Sequence, residues 1–368
     1  MRVGLVIYGS LDTVSGGYLY DRQLVAHLRA QGDEVEIISL PWRAYPGRLL
    51  DNVAAGLGRR LQAGRWDVLL QDELNHPSLF ALNRWLRPRV PYPILSIVHH
   101  LRSSERHAAW PMAFYRRVER AYLRGVDGFI FNSRTTREAV EALTPLPVRR
   151  GERREVVACP AADHIGPGLD RDQIEARAAR PGPLRVLFVG NVIPRKGLHT
   201  LLAALARLEG GWRLTVAGSL AVDPAYGRSI RARIAQQRLE DRVALLGRLD
   251  DAGLRAQLAA HDVLAVPSSY EGFGIAYLEA MAFGLPVIAT TAGGAGEIVT
   301  HGQDGWLAPP DDPDALAGAL RALGSDRARL RAMSRAARAR YDRHPTWAES
   351  MARVRAFLLS RTAALARV

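Results

Sequence analysis

The stretch 268–287, SSYEGFGIAYLEAMAFGLPV, begins as a loop and turns into a helix that Gly284 stops and Pro286 follows. It carries two glutamates eight positions apart, Glu271 in the loop and Glu279 inside the helix. Glu279 stands among Ala276, Leu278, Ala280, Met281 and Ala282, so that helix is expected to be largely buried. An uncompensated buried carboxylate costs several kcal/mol or takes up a proton, so Glu279 is expected to have a partner. The helix start at Gly272, Phe273 and Gly274 offers free backbone N–H groups and a positive dipole end, an anion site best suited to a phosphate. Glu279 follows roughly 9 Å along the axis, where its carboxylate can accept two hydrogen bonds from a cis-diol such as a ribose. The plainer alternative is an acidic helix start with a stray helix carboxylate.

Around this stretch, short apolar runs alternate with helical patterns. Strands are expected near 2–8, 34–39, 67–71, 93–99, 126–131 and 155–159, with helices near 17–31, 47–63, 76–87, 106–124 and 133–143. From 160 to 183 the text PAADHIGPGLDRDQIEARAARPGP is rich in proline and glycine and reads as a linker. Alternation then restarts, with strands near 185–189, 213–217, 242–246, 262–266 and 286–289 and helices at 197–208, 224–238, 250–260 and 274–283. Helical segments near 312–322, 325–341 and 345–361 finish the chain. Continuous apolar strands separated by helices belong to doubly wound parallel sheets covered on both faces. The expectation is α/β: two Rossmann-like domains facing across a cleft, 1–165 and 184–344, joined by a linker at 166–183. Ligands of such sheets bind beyond the carboxyl ends of the strands.

Further glycine-rich turns support an anion site in the second domain. VLFVGNVIPRKGLHTLLAAL (186–205) is a strand, a turn at Gly190-Asn191, then Arg195-Lys196-Gly197 opening a helix. Adjacent cations at a strand end suit the developing charge of a diphosphate leaving group. LTVAGS (214–219) and VALLGRLDDAGL (243–254) each end a strand with glycine, so the loops near Gly218 and Arg248 can wall a nucleobase. TTAGGAGEIVTHGQDGWL (290–307) adds another such loop.

Composition narrows the partners. The 368 residues carry a net charge of +13, yet of 50 basic residues Lys196 is the one lysine. The charge divides evenly, +6 up to residue 165 and +7 beyond, so no basic footprint for nucleic acid is concentrated anywhere. Attraction to anionic lipid headgroups stays open. Where arginine has filled every other basic site, a retained lysine points to a need for a compact ammonium. The single cysteine, Cys159, excludes a disulfide framework and a multi-cysteine zinc site. No apolar run approaches the ~20 residues of a membrane helix, and the start MRVGLVIYGS is too short in its apolar stretch for a secretory leader. A cytoplasmic location is expected, with contact at the inner membrane face open. Two Asp-x-Asp pairs, Asp170/Asp172 and Asp312/Asp314, stand where aspartate belongs as loop or helix cap, and no metal is expected.

PSSYEGFGIAYLEAMAFGLPVIATTAGGAGEIVTHGQDGWLAPPDD (267–312) resembles the signature region of the retaining, nucleotide-sugar-dependent glycosyltransferases of the GT-B fold, the glycosyl transferases group 1 or family four. The similarity covers nearly the whole chain and is more distinctive in the second domain. It implies that Glu271 contacts a donor sugar and Glu279 the ribose of a UDP- or GDP-type donor, with Lys196 and Arg195 on the diphosphate and no further cofactor. Asn191 stands where the family usually has an arginine, so Arg195 supplies that charge or the leaving group is held less tightly. The resemblance also implies that Gly16 and Gly17 form a loop toward the donor phosphates, that the last helix (345–368) packs back on the first domain, and that the acceptor attacks from the front face.

The first domain is less explicit. ILSIVHHLRSSE (94–105) ends a strand with His99 and His100, either of which can donate to a sugar or carry a proton. By the resemblance His99 is the catalytic one, and His100 replaces an aspartate that often follows it. RHAAWPMAFYRRVERAYLRG (106–125) has Trp110, Phe114, Val118 and Tyr122 at helical spacing beside arginines, either a core face or a membrane-surface helix. SLPWRAYPGRLLDNVAAGLGRRLQ (39–62) shares that ambiguity. A retaining hexosyltransferase with a glycan, lipid-linked or small-molecule acceptor is the leading expectation. A nucleotide-sugar epimerase and a non-catalytic sugar-nucleotide-binding subunit stand beside it. A dinucleotide dehydrogenase fits less well, because no G-x-G-x-x-G follows the first strand of either domain.

Overall fold

The computed structural model describes residues 1–105, 109–145 and 154–365. The chain forms two compact units, residues 1–160 with 345–368, and residues 161–344.

In the first unit six strands, β1 (Arg2–Tyr8), β2 (Glu34–Leu40), β3 (Val68–Asp72), β4 (Ile94–Val98), β5 (Gly128–Phe131) and β6 (Glu155–Val157), pair in parallel in the order β2-β1-β3-β4-β5-β6. β3, β4 and β5 are buried at every position, because helices cover both faces, whereas the edge strand β2 alternates. The helices are α1 (Gly16–Ala30), α2 (Tyr45–Leu49), α3 (Ala55–Ala63), α4 (His76–Leu86), α5 (Ala109–Leu123) and α6 (Arg134–Leu143). Tyr8, Leu69, Ile94, Tyr122, Phe129 and Phe131 lie in the core. Strand order reverses between β1 and β3, so the loops after those two strands diverge and leave a crevice at their carboxyl ends.

The expected helix 47–63 is broken. A 3-10 turn, Leu50–Val53, separates α2 from α3. Two polar side chains pull that turn onto α4: Asp51 accepts from Ser78 Oγ at 2.7 Å, and Asn52 Nδ2 donates to Pro77 O at 2.7 Å. The expected start of the 106–124 helix lies outside the described residues. Its apolar stripe serves two purposes, since Val118 and Tyr122 are core while Trp110 is 81% exposed and Phe114 37%.

The second unit holds α7 (Arg171–Ala179), β7 (Leu184–Val189), α8 (Leu198–Leu205), β8 (Trp212–Ala217), α9 (Pro224–Gln236), β9 (Val243–Gly247), α10 (Asp251–Ala260), β10 (Val263–Ala265), α11 (Ile275–Ala282), β11 (Val287–Thr290), β12 (Gly305–Ala308), α12 (Pro313–Ser325) and α13 (Arg327–Asp342). Its parallel sheet runs β12-β11-β10-β7-β8-β9, a Rossmann order that reverses between β7 and β10. The loops carrying Lys196 and Glu271 leave those two strands. α11 ends where Gly284 takes a φ of +65° and Leu285 N donates to Ala280 O at 3.0 Å, a left-handed cap that a side chain would strain.

Two elements depart from expectation. The linker expected at 166–183 contains α7, started by a capping box between Asp170 and Gln173 and burying Ile174, Arg177 and Ala178. Its buried face includes an arginine, which hides it from a hydrophobic pattern. β12 is four residues within a glycine-rich stretch, too short to stand out by pattern. The last helix, α14 (Trp347–Leu365), packs on α1 and β6: Trp347 meets Tyr20 edge-on at 5.8 Å, and Arg355 Nε donates to Asp33 Oδ2 at 2.7 Å.

Arg177 staples α7 to its unit, donating to Phe283 O at 2.6 Å and Gly284 O at 2.8 Å. Arg177→Ala leaves these carbonyls buried and unpaired, so urea denaturation should show a loss of about 2–4 kcal/mol. Glu175→Ala, which removes an exposed pair with Arg335, should leave the transition where it is.

Candidate active site

The second unit assembles its site from the loops after β7 and β10. Gly197 takes a φ of +70°, and a Cβ there would stand 2.1 Å from Pro267 O, so only glycine lets the two loops touch. Across that contact Lys196 Nζ donates to Glu271 Oε2 at 2.5 Å, with the lysine side chain 17% exposed and the glutamate 14%. Burial and the neighbouring Arg195 charge hold the Lys196 ammonium below its ordinary value, while Glu271 works against them. Ser268 Oγ donates to the same Glu271 oxygen at 3.2 Å. Arg195 Nη1 donates to Tyr270 O at 2.8 Å and stands 3.9 Å from Glu271 Oε2, so both expected cations converge on one carboxylate.

The glycine-rich loop after β11 stitches onto this pair. Gly294 N donates to Glu271 O at 2.7 Å, and a Cβ on Gly293 would lie 2.0 Å from that oxygen. Gly272, Phe273 and Gly274 then lead into α11, with Gly274 as N-cap at a φ of +105°. Phe273 is buried, its ring 5.9 Å from His344, so it offers its backbone alone.

Glu279 is not left alone inside α11. His164, from a short turn at Asp163–Ile165, donates from Nε2 to Glu279 Oε1 at 3.1 Å. The pairing partner comes from the stretch that reads as linker, over a hundred residues away, which is why sequence pattern could not supply it. Gly218 is spent on packing: a Cβ there would sit 1.8 Å from Gly190 O, in the turn that holds Asn191. Asn191 is half-buried and Arg248 exposed, each on a loop after its strand. Asp170 and Asp312 cap α7 and α12, accepting from Gln173 N at 2.8 Å and Ala315 N at 2.9 Å.

In the first unit the two histidines separate. His100 Nε2 donates to Glu105 Oε1 at 3.1 Å. His99 Nε2 lies 3.3 Å from Asp21 Oδ1, a carboxylate with no exposed surface. Gly17 lets the His99 ring lie against the start of α1, since a Cβ there would meet it at 3.0 Å. Gly16 is the first residue of that helix, capped by Ser15. Sequence reasoning missed Asp21, Asp72, Glu73, His76 and Glu119. The signal for Asp21 was present: it interrupts the apolar stripe Tyr18, Leu24, Val25, Leu28 of α1.

These buried groups lie close together. Asp21, Asp72 and His99 bring their polar atoms within 4.8 Å of one another, as do Glu73, His76 and Glu119. Burial pushes Glu73 up to about 8 and Glu119 up to about 7, and it pushes His76 down to about 4. Asp72 is also raised, by burial and then by Asp21. Burial alone would lower His99, but Asp21 and then Asp72 carry it up to about 8. Retained protons therefore neutralise Glu73 and Glu119.

Two family models match the chain: glycosyl transferases group 1 over residues 170–340, and glycosyl transferase 4-like domain over 18–160. Glycogen synthase of Mycobacterium tuberculosis is 36% identical over 186 residues, 49% of this chain and 44% of the relative, so the match spans under half of that protein's length. Among solved structures, sucrose-phosphate synthase from Thermosynechococcus elongatus superposes with a TM-score of 0.81 at 24% identity, covering 99% of each chain. Anabaena HepE in complex with UDP-glucose gives 0.75 at 21% identity over 98% of this chain and 100% of that one. These likenesses establish a shared fold.

The proton-holding clusters have a measurable consequence. Raised carboxyls keep protons in the folded state that the unfolded chain releases near pH 4, so stability falls as pH rises toward 7–8. His99, raised to about 8, also loses its contribution as pH climbs through that value, whereas the gain from a neutral His76 is complete near 6.5. Amide exchange in β3 and β4 should therefore show protection declining between pH 6.5 and about 8 after correction for intrinsic rates. Rising protection over that range would contradict the assignment.

Proposed function

The chain belongs to the group 1 glycosyltransferases, and on that footing we propose that it moves a hexose from a nucleoside-diphosphate sugar to an acceptor hydroxyl, with retention at the anomeric carbon. The observation that carries the reading is the Lys196–Glu271 pair at the strand-order reversal of the second sheet, followed by a helix start and then Glu279. Lys196 exchanges Glu271 for the diphosphate when the donor binds and then meets the negative charge that builds on the departing phosphate, with Arg195 as the second cation. The N–H groups at 272–274 add to that field. Glu271, released, accepts from a hydroxyl of the sugar. Glu279 accepts from the ribose through the oxygen that His164 does not occupy.

The related fold that holds UDP-glucose supports a uridine donor, with GDP as the comparison to run. The loops carrying Gly218 and Arg248 wall the base, Gly218 by letting its loop pack on Gly190, and Asn191 contributes a neutral contact where an arginine would add charge. His99 of the first unit engages a sugar hydroxyl, and Gly16 and Gly17, expected as a loop, instead open helix α1 beside it.

Trp42, Leu50, Trp110 and Phe114 are exposed beside Arg43, Arg116 and Arg117. They suit peripheral contact with anionic lipid headgroups on the cytoplasmic face. Among the described residues no helix is long and apolar enough to cross a membrane.

Thermal unfolding with UDP, GDP and ADP tests the donor. A nucleotide at a hundred times its dissociation constant adds about 2.7 kcal/mol, and the shift should be largest for UDP. No shift with any of them would contradict the proposal. Lys196→Ala should lower donor turnover by about a hundredfold, the scale of losing one preorganised donor to a developing anion. A nucleotide shift without turnover in the wild-type chain would point instead to a non-catalytic binding subunit.

A further inference from the structure

We propose that Asp21 is a positioning residue for His99: its buried carboxylate accepts the Nε2–H of the imidazole, fixing the ring's tautomer and leaving Nδ1 to meet a sugar hydroxyl. The inference rests on the role proposed above for His99, and its spectroscopic test does not.

Asp21 lies on the buried face of α1, where the pattern of Tyr18, Leu24, Val25 and Leu28 calls for an apolar side chain. A carboxylate there is costly unless it is paired. Its one recorded hydrogen-bond partner among the described residues is His99, at 3.3 Å through Oδ1, while Oδ2 is buried with no hydrogen bond among those residues. The cost is thus met only partly, as expected of a group kept for what it does to a neighbour.

Every other contact on His99 removes freedom from it. The ring lies against the bare backbone of Gly17, and the edge of Tyr20 meets it at 5.3 Å. Its carbonyl accepts from Asn132 Nδ2 at 2.8 Å and from Thr136 Oγ1 at 3.4 Å. Nδ1 makes no hydrogen bond among the described residues.

The tautomer decides the chemistry. With Nε2–H committed to Asp21, a neutral ring presents a bare Nδ1 that can take a proton, and a charged ring presents Nδ1–H that can donate one. The titratable groups facing the ring are Asp21 from α1 and Asp72 and Glu73 from the end of β3. Burial opposes imidazolium, while Asp21 first, and Asp72 and Glu73 when ionised, hold His99 up to about 8. Near neutral pH the ring therefore donates from Nδ1 to a sugar oxygen, and that donor is lost above about 8.

The test is a histidine-labelled NMR titration of the full chain, with His99 assigned by the signals missing from His99→Gln. In the wild type, the Nε2–H form should dominate above the midpoint, which should lie near 8. A predominant Nδ1–H form overturns the proposal before any variant is made. Asp21→Asn keeps the shape and removes the charge, so the midpoint should fall by about one pH unit or more, and both tautomers should appear. In steady-state donor turnover by Asp21→Asn, kcat should fall at least tenfold with KM for the donor unchanged, and the alkaline limb should move down with the NMR midpoint. A lowered kcat with an unmoved alkaline limb would mark a merely structural carboxylate and overturn the inference, as would an unmoved midpoint. If the wild-type chain turns over no nucleotide sugar, the functional proposal fails while the NMR arm still decides the contact.

Discussion

The Lys196–Glu271 ion pair depends on two loops being held in contact at the point where strand order reverses in the second sheet. Partly buried and 2.5 Å long, the pair joins the loop after β7 to the loop after β10. The pair forms because the backbone has no side chains in the way: Gly197 yields to Pro267 O, and Gly293 yields to Glu271 O. A cation held against a carboxylate in such a place is ready for exchange. In the function we propose, an arriving diphosphate offers Lys196 more negative charge than Glu271 does, and it frees Glu271 for a neutral hydroxyl.

The same economy of buried charge runs through the molecule. Glu279 is answered by His164, Asp21 by His99, and Asp262, fully buried, by Arg185 at 2.5 Å. Where no cation answers, as at Glu73 and Glu119, the carboxyl retains a proton instead. Buried ionic groups contribute little net stability. Asp21, Asp72, Glu73, His76 and His99 gather at the carboxyl ends of β3 and β4, the end of the first sheet where we propose that His99 acts.

Much of this was legible in the sequence of the second unit. Its strands are continuous apolar runs, and its Glu271, Glu279, Lys196 and glycine turns are local signals within about a hundred residues. What pattern could not supply were pairings across long separations. His164 lies 115 residues from Glu279, and Asp21 lies 78 from His99. Helix α7 escaped because its buried face includes Arg177, whose guanidinium serves two backbone carbonyls where an apolar side chain would be expected. The ambiguity of the 106–125 segment was real: its Val118 and Tyr122 are core and its Trp110 is not.

The central claim is that the second unit grips a nucleoside-diphosphate sugar through Lys196 at one end and Glu279 at the other. A crystal structure of the chain with UDP-glucose bound tests this most directly. The account predicts the diphosphate within hydrogen-bonding distance of Lys196 Nζ, the Lys196–Glu271 contact opened, and both ribose hydroxyls on the Glu279 carboxylate. A nucleotide bound elsewhere, or Lys196 still joined to Glu271 beneath an occupied site, would contradict it.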